Sequence, residues 1–282
     1  MSRAEKMPTA LTLSPTSSPF RSGFALCVGL ALSACGGSSG GGNDIERYLT
    51  DEYARTPGLS EIRAAEAYAL TPAGREGGQG QSIGVIDDGI DGSHEDIERA
   101  LARGGQFDML PSEAGDRSHG TSVAGIAAAA RNDRGTMGVA FNAALVDYDA
   151  GTNDNLIDGL AAINSMIQAA DAGTPRQGRA DVLNMSWGSR DMTPVYNDFM
   201  GYAASRGVVM VVSTGNESAS SPSNPASMVT DPQIAGMGIA VAAGTRSGLA
   251  SYSNACGAAA QYCLVGPGTT PSSAPGTRGG TR

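Results

Sequence analysis

The chain has 282 residues, a formal net charge of −9 and an isoelectric point near 4.7, a balance that argues against nucleic acid as a partner. With 40% apolar residues and 40 glycines, it suits a globular domain with tight turns and close helix packing, not a disordered or fibrous chain. No internal repeat is apparent, and the acidic residues form no long block.

At the N-terminus, Arg21-Ser22-Gly23 precedes an apolar run over 24–32. That run has the length of a signal-peptide core and is too short to span a bilayer as a mature helix. It ends in Leu32-Ser33-Ala34-Cys35-Gly36, which resembles a bacterial lipobox, so Cys35 is expected to become the lipidated first residue. Residues 1–35 are thus read as a lipoprotein signal peptide and the Gly/Ser-rich 36–44 as a flexible tether. The Pro/Ser-rich lead-in before Arg21 makes Met7 or a later codon a candidate start. A membrane held through the lipid anchor is the expected partner at this end, in the periplasm or at the outer membrane.

Downstream, 82–86 reads as a buried strand of a parallel sheet and delivers Asp87-Asp88-Gly89 at its C-terminal end, where ligands bind in open α/β sheets. His119-Gly120-Thr121 opens an Ala/Gly-rich helix. A helix is expected over 155–172, with Leu156, Leu160, Ile163 and Ile167 on one face, and another over 195–205. A strand over 181–185 runs into Ser186-Trp187-Gly188, and one over 208–212 ends at Gly215-Asn216. This alternation predicts an α/β fold, a parallel sheet with helices on both faces in three layers. About 230 residues are enough for one sizeable core. Cys256 and Cys263 enclose a small loop that reads, in an exported chain, as a disulfide. Closing it would contribute about 2 to 3 kcal/mol; metal coordination is the rival reading. Taken singly, Asp87 fits a turn cap, Trp187 a core aromatic and Asn216 a turn former.

Taken together and in order, these segments resemble the subtilisin-like serine proteases, whose chain order is acid, histidine, serine. The resemblance implies His119 as general base, Asp87 as the partner that orients its imidazole, and Asn216 as a side-chain donor to the oxyanion. It implies that Ser186, Trp187 and Gly188 line the cleft and grip an extended peptide by strand addition. His94 falls in a segment that the family also carries after its acid and is read as structural. Calcium is a structural ion in many members, but no ligand loop maps here; neither a metal nor a cofactor is assigned.

The family's nucleophile opens a long buried helix in a Gly-Thr-Ser-Met-Ala type segment, and none occurs up to Arg282. Ser272 and Ser273, the last serines, stand in a Pro-rich stretch with no helix after them. The expectation is a subtilisin-like peptidase domain over 45–282 with its C-terminal part missing. Such a chain is expected to be inactive alone and to expose the surface its helix would cover, with poor stability, aggregation or dependence on a complementing C-terminal fragment as the result. The tether after Cys35 and the segment Tyr53-Ala54-Arg55-Thr56-Pro57-Gly58, leading into a helix-like 61–70, also resemble lipidated autotransporter subtilases. In that group a C-terminal β-barrel carries the protease to the cell surface; nothing in 1–282 reads as barrel strands. Three readings follow: a serine endopeptidase cut short, acting on peptides or proteins; a lipid-anchored peptide-binding pseudoprotease; and another α/β enzyme using Asp87 as a metal or phosphate ligand. Retention of Asp87, His119 and Asn216 together favours the first.

Overall fold

The computed structural model describes residues 43–110, 116–152, 156–188, 194–234 and 236–269. The expected leader and most of the tether, Cys35 included, lie outside the described residues, as do Ser272 and Ser273.

Four short helices come first: α1 (Asn43–Glu46), α2 (Asp51–Ala54), α3 (Pro57–Glu61) and α4 (Ala64–Leu70). α1 starts two residues before the expected domain boundary at 45. Thr50 caps α2 by accepting from the Tyr53 N–H at 3.2 Å, and proline opens α3, where a missing N–H costs nothing. The single helix expected over 61–70 is broken, because Arg63 adopts φ 57° between α3 and α4. These helices bury Tyr48, Tyr53, Leu59 and Tyr68 against Met137 and Phe141 as a small separate core.

The main sheet contains β1 (Ser82–Asp87), β2 (Gly105–Asp108), β3 (Ala144–Asp149), β4 (Val182–Met185), β5 (Val209–Ser213), β6 (Gly238–Thr245), β7 (Gly248–Leu249) and β8 (Cys263–Pro267). Its order is β2-β3-β1-β4-β5-β6-β7, with β8 also paired to β6. Every pairing is parallel except β6 with β7. Parallel neighbours need long crossovers, which here carry α5 (Glu98–Arg103), α6 (Ser118–Ala128), α7 (Gly159–Asp171) and α8 (Pro194–Ser205). The α/β class with a dominant parallel sheet is therefore as the sequence predicts. Among the described residues no helix is long and apolar enough to cross a membrane.

Helices lie on both faces. On one, α7 and α8 pack Ala162, Met166, Met200 and Ala203 over Ile86, Val146, Leu183, Met185, Met210 and Val212. On the other, α5 and α6 pack Ala100, Leu101, Ala124 and Ala128 over Val85 and Leu145. β3, which both helix layers cover, is accordingly buried at every position. β4, β5 and β6 differ, alternating buried with half-buried residues. The register places Asn184, Val211 and Ile239 in the row of Val85, on the α6 side. That row continues the covered face over β1 into a stretch where the described residues leave Val209, Val211, Ile239 and Val241 only half covered.

One expectation fails. The stripe Leu156, Leu160, Ile163, Ile167 is not the buried face of α7: the helix starts at Gly159, Leu156 precedes it, and Leu160 is 66% exposed. Asp158 sets the start by accepting from the Ala161 N–H at 2.8 Å. The face that is buried instead is made of Ala161, Ala162, Ser165, Met166, Ala169 and Ala170, small enough to bring α7 close to α8 and the sheet.

Candidate active site

The chain builds β1, β2 and β3 on one side, then crosses to β4 on the other side of β1. Strand order therefore reverses between β1 and β4, and the crevice at their carboxyl ends is where open α/β sheets place ligands. Asp87 ends β1, Ser186 follows β4 and Asn216 lies three residues past β5. The sequence-predicted residues thus gather at the carboxyl ends of three adjacent strands.

Asp87 is buried, and its Oδ1 lies 2.7 Å from His119 Nδ1. A carboxylate can only accept, so Nδ1 carries the proton and the neutral ring keeps its lone pair on Nε2. The His119 side chain is 56% exposed, so the ring is reachable from solvent. Its pKa is raised, first by the hydrogen bond to Asp87 and further by the charges of Asp87, Asp88 and Asp116, against the opposing effect of burial.

His119 is the second residue of α6, and Asp88 sets its height. Asp88 Oδ2 accepts from the His119 N–H at 3.2 Å and Oδ1 from the Gly120 N–H at 2.6 Å, satisfying two of the helix's free amides. Burial pushes the Asp88 carboxyl up to about 6 despite these bonds. Gly120 follows from the same geometry: a Cβ there would lie 2.3 Å from the Gly89 carbonyl oxygen. The acid loop and the histidine helix are in contact, and a glycine makes that possible.

A second acidic layer lies beneath. Asp149, paired in register with Asp87, ends β3 and forms an ion pair with Arg117 at 3.7 Å. Burial raises its pKa, and Arg117 opposes the rise. Asp147 is buried deeper. Its Oδ2 accepts from Ile90 N–H at 3.1 Å and Gln106 Nε2 at 3.0 Å, while Oδ1 has no hydrogen-bond partner among the described residues; desolvation pushes this carboxyl up to about 7. Sequence reading did not single out Asp88, Arg117, Asp147 or Asp149. The doubled Asp87-Asp88 was the available signal for the first.

On the β4–β5 side, Ser186 and Asn216 line one hollow of about 200 Å³, with Asn184, Ser213 and Val241. Gly188 lines a neighbouring hollow of about 340 Å³ with Glu217, Ala219, Ser223 and Asn254. Ser186 Oγ donates to Asn184 Oδ1 at 2.8 Å. The half-buried Trp187 ring is held by contacts to β1 and α8. Its Nε1 donates to the Ile86 carbonyl at 2.8 Å, and the ring meets Tyr196 edge to face at 6.3 Å. The ring also packs against the core beneath α7 and α8. His94 is buried, its Nδ1 accepting from Asp96 N–H at 3.2 Å. Cys256 and Cys263 are joined as a disulfide with Cα atoms 5.9 Å apart. Among the described residues, no group of three or more His, Cys, Asp or Glu side chains is arranged to hold a metal ion.

A parallel α/β sheet with an aspartate–histidine pair at its switch point defines a protein of the subtilisin-like fold class. The chain belongs to the subtilase family of peptidases (S8), whose profile matches residues 78–281. It is similar to the thermophilic serine proteinase of Bacillus sp. (strain AK1), 35% identical over 162 residues, covering 54% of this chain and 37% of that protein. Fervidolysin of Fervidobacterium pennivorans is 33% identical over 170 residues, 57% of this chain and 24% of the relative. Subtilisin BL of Lederbergia lenta is 35% identical over 175 residues, 60% and 58%. The chain thus spans less than two thirds of the length of each of these relatives.

Proposed function

We propose that this chain is the acid, base and oxyanion part of a serine endopeptidase acting on peptides or proteins. The observation that carries the reading is the 2.7 Å contact between buried Asp87 and accessible His119 at the switch point. In this reading His119 Nε2 takes the proton of a serine hydroxyl as it attacks the scissile carbonyl, while Asp87 holds the tautomer and stabilises the imidazolium. Asn216 donates its side-chain amide to the oxyanion. The backbone at Ser186, Trp187 and Gly188 pairs with the extended substrate.

The nucleophile comes from a segment outside the described residues, in the same polypeptide or as a complementing fragment. The half-covered side of β4–β6 supports this, since an apolar helix seated there would end beside Asn184 and Asn216. Residues 1–282 alone are inactive in this reading. Loss of the serine in such a triad costs about 10⁶ in turnover, a magnitude the subtilisin series itself established. Cys35 anchors the chain through lipid in the bacterial envelope, with 1–35 as leader and 36–44 as tether. By resemblance to lipidated autotransporter subtilases, a β-barrel encoded further on delivers the full-length protein to the cell surface.

The test is to translate the DNA beyond codon 282 in all frames and express the continuous product beside the 282-residue chain. The continuous product is expected to label with a fluorophosphonate and cleave a fluorogenic peptide, and both should vanish in His119→Ala. Labelling of the 282-residue chain alone would sink the inactive-fragment reading. A continuous product that binds peptide without cleaving it would establish the pseudoprotease instead. Cys35→Ala should move the protein from the membrane to the soluble fraction.

A further inference from the structure

The loop that carries Asn216 rests on a buried side chain with no part in the mechanism above. Asn254 is 1% exposed and uses both ends of its amide. Its Oδ1 accepts from the backbone N–H of Glu217 at 3.0 Å and of Ala219 at 2.8 Å. Its Nδ2 donates to the Thr214 carbonyl at 2.9 Å and to Glu217 Oε2 at 2.6 Å. That carboxylate oxygen in turn accepts from the Asn216 N–H at 3.1 Å. The main chain adds two bonds, Asn254 N–H to the Gly215 carbonyl at 2.9 Å and Thr214 Oγ1 to the Asn254 carbonyl at 3.0 Å.

Residues 214–219 are therefore folded around one amide group. Gly215 has φ 105°, and a Cβ there would lie 2.4 Å from Asn254 Nδ2, so the backbone closes directly on it. The Asn216 side chain is exposed, and the direction of its amide is set by the backbone on either side. Only an amide at 254 meets every demand. A carboxylate would face Glu217 at hydrogen-bond distance with no donor between them, and an apolar residue would leave the N–H groups of Glu217 and Ala219 unpaired.

We propose that Asn254 is the positioning residue for the oxyanion donor, fixing Asn216 through Gly215 and Glu217. The proposal rests on the reading of Asn216 as that donor. Catalytic donors must be held to a fraction of an ångström, and misplacement by about 1 Å costs on the order of 10² in rate.

The experiment pairs Asn254→Asp with the swap Asn254→Asp/Glu217→Gln, which reverses donor and acceptor across the same contact. In the 282-residue chain, Asn254→Asp is expected to speed amide exchange at Glu217 and Ala219 and to shift the Asn216 side-chain amide resonance. The swap should restore protection at Glu217 and Ala219 but leave the Asn216 resonance shifted, because Glu217 Oε2 also accepts from the Asn216 N–H and an amide nitrogen in its place cannot. In the continuous, serine-containing product, Asn254→Asp should lower kcat by on the order of 10²-fold with KM nearly unchanged. It should add no further loss in an Asn216→Ala background. An unmoved Asn216 resonance, a loss confined to KM, or an equal loss in the Asn216→Ala background would overturn the proposal. If Asn216→Ala leaves kcat intact, the donor reading fails on its own, and the resonance measurement still decides whether Asn254 holds the loop.

Discussion

His119 is one of two histidines in the chain, which makes its titration directly observable by proton NMR. The hydrogen bond to Asp87 favours the imidazolium, so the ring should titrate above 6.5. Asp87→Asn is expected to bring the titration down, with His94→Ala assigning the two signals; an unmoved curve would mean Asp87 does not hold the ring. The sign carries over to catalysis. In the proposed function the base is the neutral form, so turnover of a serine-containing product should fall as pH drops through the raised pKa. Asp147 gives a prediction of stability. Its folded pKa of about 7 lies above that of an unfolded aspartate, so the folded state binds the extra proton between roughly pH 4 and 7. Stability should therefore decline as pH rises through that window and level off above it. Asp147→Asn should flatten this slope and raise the melting temperature at pH 8; a steeper or unchanged slope in thermal melts would contradict it.

At the scale of elements, α7 shows where periodicity and structure part. Asp158→Ala removes its cap and should cost about 1 kcal/mol, a fall of about 2–4 °C in the melting temperature by calorimetry. The strands β1, β4 and β5 were legible because each is a short apolar run ending at a residue with evident chemistry, and α8 because its pattern is regular. The buried face of α7 was not, since a leucine stripe is a stronger pattern than an alanine one, and alanine wins here only through the proximity of α8 and the sheet. β2, β3 and β6 drew no attention because no candidate residue marked their ends. The site was legible in the same uneven way. Asp87 and His119 stand in recognisable segments, whereas Asn254 lies 38 positions beyond Asn216 and gains its meaning only when the chain folds back on the 214–219 loop.

For the whole molecule, the two sides of β5 offer a comparison within one strand. Val212 is buried under α7 and α8, while its neighbour Val211 is half covered on the opposite side. Val212→Lys should unfold the chain or cost more than about 4 kcal/mol, because an unpaired charge would be buried. Val211→Lys should be tolerated in the 282-residue chain, its stem lying along the sheet and its ammonium in water. In the proposed function the same change should block docking of the helix that carries the nucleophile. Equal melting temperatures for the two variants would show that the sheet is not asymmetrically covered.

Trp187 is the one tryptophan in the chain, and its indole N–H is bonded to the carbonyl of Ile86, the residue before Asp87. The protein therefore carries a native fluorophore bridging β1 and the end of β4. Its emission reports the surroundings of that bond without any added label, so local opening at the switch point can be followed in the unmodified chain.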